Sequence, residues 1–127
     1  VEVIEANAFD FLKAQESAGE RYGLIILDPP PFARNKAAAR DALRGYKELA
    51  LRSLKMLEPD GALATFSCSH HVGEEAFRET LVEASVDARR HVRLLRRLGQ
   101  PPDHPILPHL PETEYLRGLL VETLPGR

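Results

Sequence analysis

The sequence predicts an α/β domain that carries its functional groups at the carboxyl ends of two neighbouring parallel strands. Leu24-Ile25-Ile26-Leu27 is an unbroken apolar run between Gly23 and prolines 29 to 31, the pattern of a short strand buried on both faces. It delivers Asp28 to its C-terminal end. Gly61-Ala62-Leu63-Ala64-Thr65-Phe66 reads as a second buried strand, introduced by the turn Glu58-Pro59-Asp60-Gly61 and ending in Ser67-Cys68-Ser69-His70-His71. The segment between them is helical in period. Taken as parallel neighbours, the two strands bring Asp28 and Cys68 to one sheet edge, where open α/β sheets bind ligands. Asp28 alone is equally well read as a helix cap beside a proline-rich turn.

Each element follows from its own pattern. Val1 to Glu5 alternates in part and reads as a strand. Asn7 or Asp10 caps the helix that follows, with Ala8, Phe11 and Leu12 inward and residues 16–19 as its polar exit. From Asn35 to Leu57 the apolar residues Leu43, Tyr46, Ala50, Leu54 and Leu57 recur at three and four, with Gly45 marking a break into two helices. Gly73 to Ala88 forms the next helix, buried along Phe77, Leu81, Ala84 and Ala88. His91 to Leu98 reads as an edge strand that Arg89, Arg90, Arg93, Arg96 and Arg97 protect from pairing with other chains. A proline-restricted loop, residues 99–105, leads to the last strand, Tyr115 to Leu124.

Composition narrows the function. At 127 residues there is room for one domain and one core, and 43% hydrophobic with 28% charged residues is ordinary for a globular protein. No apolar run approaches the roughly 20 residues of a membrane span. One cysteine excludes an intrachain disulfide and agrees with a cytoplasmic location. A net charge of −2 means that any nucleic-acid surface must be local. Cys68, His70, His71, His104 and His109 lack the paired spacing of a zinc site, so no metal is expected.

Several motifs occur together in order: Asn7-Ala8-Phe9-Asp10-Phe11-Leu12, Asp28-Pro29-Pro30 with Phe32 and Lys36, Arg44-Gly45-Tyr46-Lys47, Phe66-Ser67-Cys68-Ser69, and Asp103-His104-Pro105. This set resembles the S-adenosylmethionine-dependent RNA 5-methylcytosine methyltransferases, in particular the large-subunit ribosomal RNA branch that usually carries a PUA domain. The resemblance implies a Rossmann-like class I methyltransferase sheet, ribosomal RNA as the partner, and Cys68 and Asp28 as the catalytic pair. It implies cofactor contacts at Asn7, Ala8, Asp28 and Pro29. In such enzymes the residue at Asn7 is commonly acidic and meets the adenine amino group, which the Asn side-chain carbonyl can also do. It further places Pro30, Phe32, Lys36, Ser67 and His104 around the base and its phosphates.

The implied chemistry needs these residue types. Carbon 5 of cytosine is a poor nucleophile until a thiolate adds at carbon 6, which splits one hard step into easier ones. Asp28 would hold the N3 edge as charge develops. Where two-cysteine members carry a second cysteine after the proline pair, this chain has Pro31, which leaves the base for the carbon 5 proton unassigned. Two other readings stay open. Enzymes that methylate exocyclic amines use Asp-Pro-Pro followed directly by a stacking aromatic residue, whereas here Pro31 precedes Phe32. A non-catalytic interaction fragment is the other.

No glycine-rich loop occurs in the chain, although this fold uses one for the methionine end of the cofactor. The expectation is the C-terminal portion of a catalytic domain, residues 1–127, lacking the first two strands and by itself inactive and unable to bind the cofactor tightly. The edge of Leu24 to Leu27 should then be covered, either by residues 1–5 folding back or by a second copy in a homodimer.

Overall fold

The computed structural model describes residues 1–30, 36–68, 72–100, 102–110 and 116–124. Helix α1 spans Ala8–Ser17, α2 Ala39–Met56 and α3 Glu74–Asp87; strands are β1 Tyr22–Leu27, β2 Leu57–Ser67, β3 Val92–Gly99 and β4 Arg117–Thr123. The sheet order is β1-β2-β4-β3, with β1 parallel to β2 and β4 antiparallel to both its neighbours. The strand–helix–strand connection through α2 is what makes β1 and β2 parallel.

All three helices pack on one face of the sheet. Leu54, Leu63, Phe77, Leu81 and Val121 form the main cluster, and Leu12, Leu49 and Met56 a smaller one between α1 and α2. Ile25 and Leu27 pack against both clusters, so β1 offers one side to the helices. Its other side is open: Leu24 is 56% and Ile26 62% exposed. The expectation of burial on both faces is therefore corrected. An apolar run gives no alternation from which to tell a covered face from an uncovered one.

Three further expectations change. Val1 to Glu5 is not a strand but exposed coil, because a strand exists only through a hydrogen-bonded neighbour and none of the described residues supplies one. It does not fold back to pair with β1. Ile4 and Glu2 instead line a groove beside Tyr22 and Leu24. Gly45 breaks nothing: after a single turn of 3-10 helix at Lys36–Ala38, α2 runs through it without interruption. The buried face of α2, with Ala42, Tyr46, Leu49, Ala50 and Leu54, outweighs the roughly 1 kcal/mol that an interior glycine costs. The turn at residues 58–61 is a bulge inside β2, where Leu57 pairs with Tyr22 and Ala62 with Leu24. Asp60 takes a left-handed φ of 66° there, and Thr123 closes the bulge by donating to the carbonyls of Glu58 and Gly61.

Three of the five arginines around β3 are tied up within the fold. Arg93 pairs with Glu122 and Arg97 with Glu74. The chain turns at the end of α3 with Arg89 at φ 57°, and Arg90 then donates to the carbonyls of Leu54 and Leu57 at 2.9 and 2.8 Å. Arg90 thereby caps the C-terminal end of α2, where the Leu54 carbonyl also accepts from the Leu57 N–H. Burial disfavours the charge on Arg90, the carbonyl oxygens hold it in place, and the residue ties α3 to α2.

Helix α1 is fastened to α2 by Arg52, which meets Glu16 at 2.8 Å and Glu48 at 2.9 Å. The Arg52 guanidinium holds the Glu16 carboxyl below its ordinary value. A depressed carboxylate contributes stability above its unfolded pKa and loses it as pH falls through the folded value. Arg52→Met should thus lower stability by about 1 kcal/mol at neutral pH. The gap from the unsubstituted chain should close in acid below the usual carboxylate range, as followed by urea unfolding at several pH values. A pH-independent gap would assign the loss to packing instead.

Candidate active site

The pairing of β1 with β2 builds the site. Leu27 lies opposite Thr65 in parallel register, so the residues after each strand leave the sheet side by side. Asp28, Pro29 and Pro30 follow β1; Ser67 ends β2 and Cys68 follows it. The Cys68 thiol points across the gap and donates to the Pro29 carbonyl, with Sγ 3.7 Å from the oxygen. The two prolines stiffen the loop that presents this carbonyl.

Cys68 is half-buried, and its thiol lies above its ordinary pKa, first through burial and then through the negative charge of Asp28. Both act the same way, because each disfavours a second anion in this corner. The thiol is therefore held protonated at neutral pH, and a cation or a hydrogen-bond donor brought to Asp28 would favour its ionisation.

A cleft of about 390 Å³ opens beside Asp28 on the α1 side. Ile26, Leu27 and Leu49 supply apolar wall, with Phe9 from the first turn of α1; Asn7, Ala8, Asp28, Pro29 and Pro30 supply the rest. Asn7 is the N-cap of α1, its side-chain oxygen accepting from the Asp10 N–H at 3.2 Å. That oxygen keeps a second lone pair, and the amide NH2 is a further group Asn7 can offer a ligand. The Ala8 N–H belongs to the first turn, where a helix leaves its donors without internal acceptors. A flat heterocycle with ring acceptors suits this combination of apolar wall and backbone donor.

The remaining predicted residues divide. Asn7, Ala8, Asp28, Pro29 and Pro30 come together around the cleft, with Cys68 across the Pro29 carbonyl. Ser67 is turned inward: it is 1% exposed and donates to the Tyr46 hydroxyl at 3.1 Å, so it lies beneath the site and presents no hydroxyl to a base. His104 is exposed, 3.9 Å from Asp103, and is not among the residues lining the cleft. Its loop leaves the same sheet edge, since Arg117 pairs with both Ser67 and Gly99, but two strands away from Asp28. Phe32, Pro31, His70, His71 and the side chain of Lys36 lie outside the described residues. Sequence reasoning gave Phe9 and Leu49 no part in the site. The signal for Phe9 was an aromatic residue one position after the first helical residue, at the ligand edge. No three metal-ligating side chains come together among the described residues, and no helix there is long and apolar enough to cross a membrane.

No family model matches the chain. Among curated proteins it is 42% identical over 118 residues to the ribosomal RNA large subunit methyltransferase I of Tolumonas auensis, covering 93% of this chain and 30% of that protein. It is 38% identical over 123 residues to the protein of the same name from Pseudoalteromonas atlantica, covering 97% and 31%. The chain thus spans about a third of the length of these relatives. Among solved structures it superposes with a TM-score of 0.76 and 21% identity on a methyltransferase candidate complexed with SAH, covering 92% of this chain and 30% of that one. The α/β fold with its mixed sheet is that of these methyltransferase structures.

Alkylation with iodoacetamide reads the electrostatics of this corner directly. The pH midpoint for Cys68 should lie above that of an ordinary thiol. Asp28→Asn should lower it part of the way, since burial remains, and raise the rate at pH 8 by about threefold. An unchanged rate would mean that the Asp28 charge does not reach the thiol.

Proposed function

We propose that this chain is the part of an S-adenosylmethionine-dependent RNA methyltransferase that holds the adenosine end of the cofactor and presents a cytosine of large-subunit ribosomal RNA for methylation at carbon 5. The observation that carries the reading is the Cys68 thiol lying 3.7 Å from the Pro29 carbonyl, with Asp28 one residue away. A nucleophile and a base-holding acid thereby lie beside one another at the ends of adjoining strands. The identity with rRNA methyltransferases over nearly the whole chain supports the RNA substrate.

The cleft fits the cofactor. Its walls are apolar and suit a flat purine, and the Ala8 N–H and the Asn7 amide supply donors for ring nitrogens. When bound, the cofactor supplies an electrophilic methyl group on a positively charged sulfur. Asp28 would accept a hydrogen bond from the exocyclic amino group beside N3 of the cytosine, which orients the ring and draws off part of its own repulsion on Cys68. Cys68 would then pass its proton to solvent and add through Sγ to carbon 6. The electron pair of the ring double bond would move to carbon 5 and bond the methyl carbon as the methyl–sulfur bond of the cofactor breaks, leaving a neutral thioether. Loss of the carbon 5 proton to water and breakage of the carbon 6–sulfur bond would restore the aromatic base and return the Cys68 thiolate.

The product distinguishes this chemistry from attack by an exocyclic amine. In the full-length protein, nucleoside mass spectrometry of methylated RNA should show 5-methylcytidine. Cys68→Ala should abolish it, and Asp28→Asn should lower its rate roughly a hundredfold. Methylation that persists in Cys68→Ala, with the methyl group on an amine, would overturn the proposal.

A further inference from the structure

Tyr46 lies in α2, the helix that follows the Asp28 loop, and is 3% exposed. Its hydroxyl accepts from Ser67 at 3.1 Å, and its ring stands edge-on to Phe77, with centroids 5.4 Å apart at 84°. Ser67 is 1% exposed and is the last residue of β2, one before Cys68. Successive residues of a strand face opposite ways, so holding Ser67 toward the helices turns the next residue away from them. The next residue is the one whose thiol crosses to Pro29.

We propose that Tyr46 is a positioning residue for Cys68, acting through the Ser67 hydroxyl to fix the end of β2 so that the thiol is held against the Pro29 carbonyl. Packing alone would be served by phenylalanine at this position. A buried hydroxyl is retained only where it has a polar partner, and here the partner adjoins the reactive residue. The edge-on contact with Phe77 fixes the ring, and therefore the hydroxyl, from the α3 side. One bond thus couples the helix after the Asp28 loop to the residue before Cys68. This inference rests on Cys68 as the reactive group of the proposed reaction, but its effect on the thiol can be read without any methyl transfer.

Iodoacetamide alkylation of the full chain, which contains one cysteine, is the test. Tyr46→Phe and Ser67→Ala should each free the thiol from Pro29, raising its alkylation rate roughly threefold to tenfold. Each should also shift the pH midpoint down toward that of an ordinary thiol. The double variant should react no faster than the faster single one, because both substitutions break the same bond. Thermal unfolding run alongside should show each variant folded at the assay temperature. Wild-type alkylation rates and midpoints in both single variants, or effects that multiply in the double variant, would overturn the positioning role. Coupling seen in a protein that forms no 5-methylcytidine would leave it standing and reject only the reaction.

Discussion

Parallel pairing of β1 with β2 is the constraint on which the rest of the structure depends. It sets Leu27 level with Thr65, and so brings Asp28 and Cys68, forty residues apart in sequence, to one edge. Neither group does much alone. An exposed carboxylate in a proline loop is an ordinary surface feature, and a half-buried thiol is ordinarily inert. Side by side they oppose each other electrostatically. A ligand that engages the carboxylate would relieve the thiol.

The helices serve that edge from below. α2 runs from the Asp28 loop down the sheet, carries Tyr46 under the end of β2, and is closed at its far end by Arg90. α1 is fastened to α2 by Arg52 and brings Asn7, Ala8 and Phe9 to the cleft. The wall that α1 gives the cleft is thus shallowly packed. Leu12 is the one core residue that α1 contributes.

Where the chain states its structure in residue chemistry, the sequence was legible. The three-and-four spacing of α2 and α3 and the capping Asn7 express local physics, and these elements stand where that physics puts them. The convergence of Asp28 with Cys68 was legible too, because a strand–helix–strand unit leaves little choice of direction. What the sequence hid depends on neighbours. Leu24 and Ile26 resemble buried strand residues, and only the sheet order shows one face of β1 open. Ser67 looked like a substrate hydroxyl beside the cysteine; strand alternation and the buried Tyr46 turn it inward. Residues 1–5 alternate like a strand yet have nothing to pair with. Asn7 was read as cap or ligand, and it caps the helix from within the cleft.

In the proposed reaction Cys68 attacks the base. Incubating the full-length protein with S-adenosylmethionine and RNA carrying 5-fluorocytosine removes the proton whose loss would release the enzyme. Peptide mapping by mass spectrometry should then find the nucleotide attached to Cys68. Turnover without a trapped species, or an adduct on any other residue, would contradict the account.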